Sequence, residues 1–198
     1  MLFRSVKISG DARVRYTDAG DVLGDTSDLR ARIAFDGKVN DNMKYSTRLS
    51  GSFNPSAPDN NNVTTKLDTA NVTFDALGLT NTVGRQDVTI GSGIMFDDTL
   101  NGLGVQTGAL KLYAGKTTGI SGTDIKAERM YGAEYGVGAR GANLTADYLK
   151  IGDKKAYGIN GSAPIAKGVT VNADYIKNDT DKARDRKSTR LNSSHNHD

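Results

Sequence analysis

Val6-Lys7-Ile8-Ser9-Gly10-Asp11-Ala12-Arg13-Val14-Arg15-Tyr16-Thr17 alternates apolar and polar residues almost without a break. Successive side chains of an extended strand point to opposite faces, so Val6, Ile8, Ala12, Val14 and Tyr16 share one side. Lys7, Asp11, Arg13, Arg15 and Thr17 share the other. The alternation returns about ten more times before it is lost near Asn178. A sheet of that extent, with arginines along its polar side, predicts an all-β fold: a transmembrane antiparallel up-and-down β-barrel around a watery lumen.

Eleven strands are predicted, at roughly 4–17, 28–38, 43–54, 66–76, 82–90, 102–107, 109–116, 128–137, 142–150, 156–163 and 168–177. Leu29, Ala31, Ile33 and Phe35 alternate with Arg30, Arg32 and Asp36, and Met43, Tyr45, Leu49 and Phe53 with Lys44, Ser46, Arg48 and Ser50. Short turns are expected near Asn40–Asn42, Gly78–Asn81, Thr107–Gly108, Gly138–Gly141 and Ala166–Gly168. Longer connections are expected at Asp18–Ser27, Pro55–Thr65, Gly91–Asn101, Lys116–Ala127 and, only slightly longer, Gly152–Lys155. Alternating short and long connections fit an up-and-down barrel, whereas a Greek-key sandwich needs long crossovers. Pro55, Pro58 and Pro164 are all expected in connections, because a strand ladder needs N–H donors. Tyr16, Phe53, Phe74, Tyr148 and Tyr175 fall near strand ends, as membrane-interface girdles require, although such residues are also good strand formers.

Composition removes most other classes. Of the 198 residues 36% are hydrophobic, the mean hydropathy is -0.50, and no apolar run approaches the roughly 18 residues of a helical span. With no cysteine, thiolate metal sites and thiol nucleophiles are excluded. The two histidines, His195 and His197, lie in the terminal segment, so triad catalysis and imidazole zinc sites lack their central residue. Nothing asks for a cofactor or a metal, and the Asp97-Asp98 pair lacks calcium-loop spacing. A balance of 26 basic against 23 acidic residues gives no case for nucleic acid.

Met1-Leu2-Phe3 runs straight into strand pattern. A secreted barrel needs an export signal, so the natural N-terminus is expected further upstream. The barrel is expected over residues 1–178 and an unstructured tail over 179–198. From about Asp185 the tail resembles adapter-derived read-through; a natural disordered tail or an engineered one are the alternatives.

The stretch from Ala76 to Ala114, ALGLTNTVGRQDVTIGSGIMFDDTLNGLGVQTGALKLYA, resembles the fifth strand and third loop of trimeric general porins. The resemblance implies that Gly84-Arg85-Gln86 ends a strand leading into a long loop folded back inside the barrel. Asp97 and Asp98 in that loop would then face basic residues on the opposite wall and form a constriction. The opening strand, with Leu29-Arg30-Ala31-Arg32, resembles porins that carry an S-layer homology domain before the barrel. The resemblance further implies an integral bacterial outer-membrane location in contact with lipid, a homotrimer, and passage of ions and small hydrophilic solutes. Such barrels have an even strand number, roughly sixteen, so eleven strands imply an incomplete one.

Arg13, Arg15, Arg30, Arg32, Lys44 and Arg48 fall on the predicted lumen face of the first three strands, and Arg85 is expected to join them from the fifth. Asp87, Asp97 and Asp98 would oppose them. Unit charges about 10 Å apart interact by about 0.4 kcal/mol in water and by more in a confined pore, so several pairs bias permeation without trapping a solute. Three rival readings stand beside the channel: a soluble all-β surface or binding module, a structural outer-membrane tether, and an outer-membrane enzyme. In the soluble module the arginines merely solvate one face and the apolar face packs on a second sheet. The enzyme needs a nucleophile–base pair, and none is visible.

Overall fold

The computed structural model describes residues 6–17, 26–55, 63–118, 126–179 and, for the backbone, 186–193. The export-signal region, Pro58, the loop at 18–25, most of the Pro55–Thr65 connection, the centre of the Lys116–Ala127 connection and both histidines lie outside them. The strands are β1 (Val6–Thr17), β2 (Thr26–Asn40), β3 (Met43–Phe53), β4 (Thr64–Ala76), β5 (Leu79–Ile90), β6 (Phe96–Thr107), β7 (Leu110–Thr117), β8 (Arg129–Ala139), β9 (Ala142–Ile151), β10 (Lys154–Ala166), β11 (Val169–Asn178) and β12 (Arg186–Ser193). They form one antiparallel sheet in strict chain order, with β1 and β12 at its two edges. The fold is therefore all-β and up-and-down, and among the described residues the sheet is open.

Two-residue turns join β2 to β3, β4 to β5, β6 to β7, β8 to β9 and β10 to β11 at one end of the sheet. Arg140 and Gly141, both at positive φ, give the β8–β9 turn the backbone twist that suits a tight hairpin. Most connections at the other end are longer. Gly152–Asp153 is the exception: the sequence predicts a slightly longer connection there, and a two-residue turn is found.

Three further differences from the sequence reading have physical causes. The expected unstructured tail contains β12, which pairs with β11 from Val169↔Ser193 to Ile176↔Arg186, making twelve strands rather than eleven. Ladder bonds come from the backbone, so an edge strand can add without apolar alternation. The expected loop Gly91–Asn101 is largely strand, because β6 begins at Phe96 and leaves only residues 91–95 as a turn. Pro164 lies inside β10 rather than in a connection. It sits at a bulge, and the β9 ladder has already ended at Ser162, so no donor is missing toward β9.

Burial is inverted relative to a soluble domain. Val14 is 73% exposed and Ile8 67%, and Ile33, Leu144 and Ile159 share the same apolar face. Asp68, Gln86, Glu134 and Asp147 are buried instead. The chain exposes 14372 Å², whereas a compact protein of 21.1 kDa exposes about 9,000 Å². No second layer covers the apolar face among the described residues. Toward the long-loop end that face carries Tyr16, Phe53, Tyr131, Tyr148, Tyr157 and Tyr175; toward the turn end it carries Phe35, Tyr45 and Phe74. Tyr148 and Tyr157 meet across strands with ring centres 5.4 Å apart. Tyr45 and Phe53 are separated by about 26 Å along β3, or about 20 Å of height for a strand tilted by ~40°.

Candidate functional site

The polar faces of β1–β3 form a wall of interlocked charges. Arg13 and Arg30 are direct cross-strand partners, a repulsive arrangement on its own. Aspartates relieve it. Arg32 makes two hydrogen bonds to Asp11, at 2.7 and 2.9 Å, and Arg30 approaches the same carboxylate at 3.9 Å. Asp28 serves Arg13 at 2.9 Å and Arg15 at 3.8 Å. Lys44 borders a hollow with Lys7, Asp36 and Lys38 nearer the turn end.

Asp68 reaches this wall through a bulge. The β3–β4 register slips between Arg48↔Thr69 and Leu49↔Leu67, leaving Asp68 unpaired in the ladder. An extra residue reverses side-chain parity, so Leu67 keeps the apolar face although Ala70, Val72 and Phe74 have the opposite parity. Asp68 is thereby buried beside Ser50 Oγ (2.9 Å), Arg48 (3.3 Å) and Lys66 (3.6 Å). Five arginines (13, 15, 30, 32, 48) and Lys66 against three aspartates (11, 28, 68) leave three positive charges in excess.

The β5–β6 hairpin opposes the wall. Its ladder with β4 stops at Ala70↔Arg85, while β5–β6 pairing continues to Ile90↔Phe96. Past Arg85 the hairpin leaves β4 and bends across the concave face. Val88, Ile90 and Leu100 pack there against Met130 and Leu149, with Met95, Phe96 and Tyr113 around them. Glycines on the wall make room: a Cβ on Gly132 would lie 2.6 Å from Ile90 Cδ1, and one on Gly158 2.6 Å from Met95 Sδ.

Bending inward exchanges the meaning of the two faces. Gln86, Val88 and Ile90 turn to the β7–β10 wall, and the other face of β5 turns toward the arginines. Asp87 lies 2.7 Å from Arg48 Nη2. Asp97 pairs with Thr89 and accepts its hydroxyl at 3.0 Å, so it shares that face. Asp98 pairs with Val88 and borders a hollow with Lys126, Glu128 and Lys154 on the other side. Arg85 makes no ion pair among the described residues. Its Nε donates to the Asp68 carbonyl at 3.1 Å and its own carbonyl accepts from Asn71 Nδ2 at 3.1 Å, fixing the point where the hairpin departs.

A second charged strip went unread in the sequence. Glu134 and Asp147 are direct partners on β8 and β9, both buried, and Asp174 follows on β11. Tyr113 donates to Glu134 at 3.2 Å, Lys111 lies 3.6 Å from it, and Asn160 Nδ2 donates to Asp147 at 2.5 Å. Strand alternation alone places all three carboxylates on the concave face, so the signal was present.

This wall and inward hairpin define the class: a porin-like up-and-down barrel wall. No protein-family model and no curated protein matches the sequence. In structure the chain is similar to a variant of Rh. blastica porin, with TM-score 0.54 and 14% identity over 87% of this chain and 74% of that one. Salmonella typhi OmpF in complex with daunomycin gives TM-score 0.54 and 13% identity, with 87% and 65% covered. The outer membrane protein OprD from Pseudomonas aeruginosa gives 0.52 and 14%, with 92% and 50% covered. At such identities the likeness is one of fold. The chain spans half the length of OprD.

Proposed function

We propose that this chain builds the wall of a water-filled outer-membrane channel through which ions and small hydrophilic solutes diffuse. The inverted burial carries the reading. Two aromatic levels bound the exposed apolar band, whose ~20 Å height is close to the ~25 Å outward band of outer-membrane barrels, while charge is gathered on the concave side. Lipid is the solvent that suits such a face, because arginine is costly against hydrocarbon and well solvated against water.

In this reading the constriction lies between the β1–β3 arginines and the hairpin face bearing Asp87 and Asp97. Opposed charges there set a transverse field that orders polar solutes and disfavours apolar ones. Arg85 holds the hairpin's departure point, and Asp98 lies behind the constriction. The assembly is a homotrimer embedded in outer-membrane lipid, and the edges at β1 and β12 are closed by further strands, since unpaired backbone in hydrocarbon costs several kcal/mol per group. Planar-bilayer recording of the complete gene product tests the channel. Ohmic steps are expected, and silence from a correctly folded barrel overturns the reading.

A further inference from the structure

An apolar hollow of about 840 Å³ opens on the outer face of β8–β11, toward the turn end. It originates in a step in the sheet. The β9 ladder ends at Ser162, yet β10 runs on to Ala166, so the β10–β11 hairpin stands past the β8–β9 turn. The Pro164 ring sits against that turn, its Cγ 3.3 Å from where a Cβ on Gly141 would lie. Ala142, Gly161, Ala163 and Ala173 are small and give the hollow depth beside the larger Leu144, Ile159 and Tyr175. Leu144, Ile159 and Ile165 are all at least half exposed, so this lining is left uncovered. Ile159 to Ile165 spans about 20 Å of strand, or about 15 Å of height at ~40° tilt, a little over half of the ~25 Å outward band of such barrels. The hollow is one leaflet deep. Its rim at the turn end is basic. Arg140 stands in the β8–β9 turn between the lining residues Ala139 and Ala142, and Lys167 in the β10–β11 turn two residues past Ile165. Among the described residues neither forms an ion pair, and no acidic residue occurs over 137–144 or 161–171.

We infer that this hollow seats an acyl chain of a phospholipid whose phosphate lies against Arg140 and Lys167. The apolar lining and the basic rim match the two halves of such a lipid in their order, chain toward mid-membrane and phosphate at the interface. Arginine meets phosphate oxygens with a fork of donors and lysine with a point charge. Both side chains are long enough to reach the interface from a turn while their stems cover apolar surface. A second copy suits the rim poorly. Two-fold pairing of this face within a membrane would set the same cations of both copies at one level, where they repel. An occupied hollow covers the step left where β9 and β10 part. Placement in the periplasmic leaflet rests on the outer-membrane reading, in which short turns face the periplasm; the hollow and its basic rim stand without it.

Native mass spectrometry of the complete gene product, folded in nonionic detergent with limiting phosphatidylglycerol, tests the site. One phosphatidylglycerol should be retained per chain, while diacylglycerol and glycerol phosphate should not be. Retention should weaken about fivefold for each cation removed by Arg140→Asn and Lys167→Ser. Asparagine suits the positive φ at Arg140. Ala173→Phe, which fills the hollow, should abolish retention, and Lys177→Ser, at the other end of β11, should match the parent. The two turn variants leave the apolar face intact and decide the matter if Ala173→Phe fails to fold. Absent retention, undiminished retention in the turn variants, equal retention of diacylglycerol, or a detergent-stable dimer that Ala173→Phe disperses overturns the site. Retention with a silent bilayer removes the channel and leaves the site; conductance without retention removes the site alone.

Discussion

The β1–β3 wall and the β5–β6 hairpin obey the same strand periodicity, yet only the wall keeps the faces that periodicity assigns within a barrel. On β1–β3 apolar residues point out and arginines point in. On β5 beyond Arg85 the apolar residues Val88 and Ile90 point at protein, and Asp87 looks across at Arg48. The difference is tertiary. A strand that leaves the wall and crosses the concave face presents two protein-facing sides, one to pack and one to face the opposing charge. Alternation reports which residues share a side and is silent about what that side meets.

The largest effect is expected from unseating the hairpin. Ile90 and Leu100 are both fully buried, and Ile90→Ala or Leu100→Ala should each remove about 2–5 kcal/mol of packing. The double variant should release the hairpin from β8 and β9 and give larger, noisier single-channel steps. If the steps keep their size while chemical denaturation shows the lost stability, the hairpin does not set the pore's width.

Next comes the tie between the two regions. Arg48 is the wall residue that reaches the hairpin, at 2.7 Å from Asp87, while also holding Asp68. Arg48→Met should leave buried Asp68 with Ser50 and Lys66 and destabilise the barrel by about 1–2 kcal/mol. It should also move the reversal potential in a salt gradient toward cations, and Arg48→Lys should restore much of that shift. A reversal potential unmoved by Arg48→Met would place the field elsewhere.

How far the sequence revealed this molecule follows from the same distinction. Turn positions, chain order and the outward set were legible because each follows from local alternation and turn chemistry, as Arg30, Ile33 and Gly141 illustrate. Arg13, Arg15 and Arg32 are legible as a wall, but alternation does not show that Asp28 serves the first two and Asp11 the third, so the ladder reads as barer than it is. Asp68 required the bulge to be seen; the parity change between Leu67 and Ala70 was the available clue. The extent of β6 was hidden because Phe96–Asn101 alternates for packing against the inner wall, not for facing lipid. β12 was hidden because an edge strand's bonds do not depend on its side chains.

A smaller effect is expected at Arg85, which the sequence grouped with the ladder. Its Nε is engaged by the Asp68 carbonyl and it lies in register with Ala70 and Asn101. Arg85→Ser should therefore shift ion preference toward cations by less than Arg48→Met does, and loosen the departure point of the hairpin. A shift from Arg85→Ser as large as that from Arg48→Met would return it to the ladder.

The finest division falls between two adjacent aspartates. Asp97 and Asp98 have the same charge and both are exposed, yet their register partners, Thr89 and Val88, face opposite ways. Asp97 therefore shares the hairpin side of Asp87, whereas Asp98 lies behind, among Lys126, Glu128 and Lys154. Asp97→Asn should reduce cation preference modestly, and Asp98→Asn should leave the reversal potential nearly unchanged. Both measurements belong at low salt, because exposed charges are screened beyond about 10 Å at 0.1 M. Equal shifts from the two variants would mean that permeating ions sample both sides of the hairpin. The inward bend would then divide the lumen rather than narrow it, and the comparison between wall and hairpin would have to include the hollow behind Asp98 as a second path.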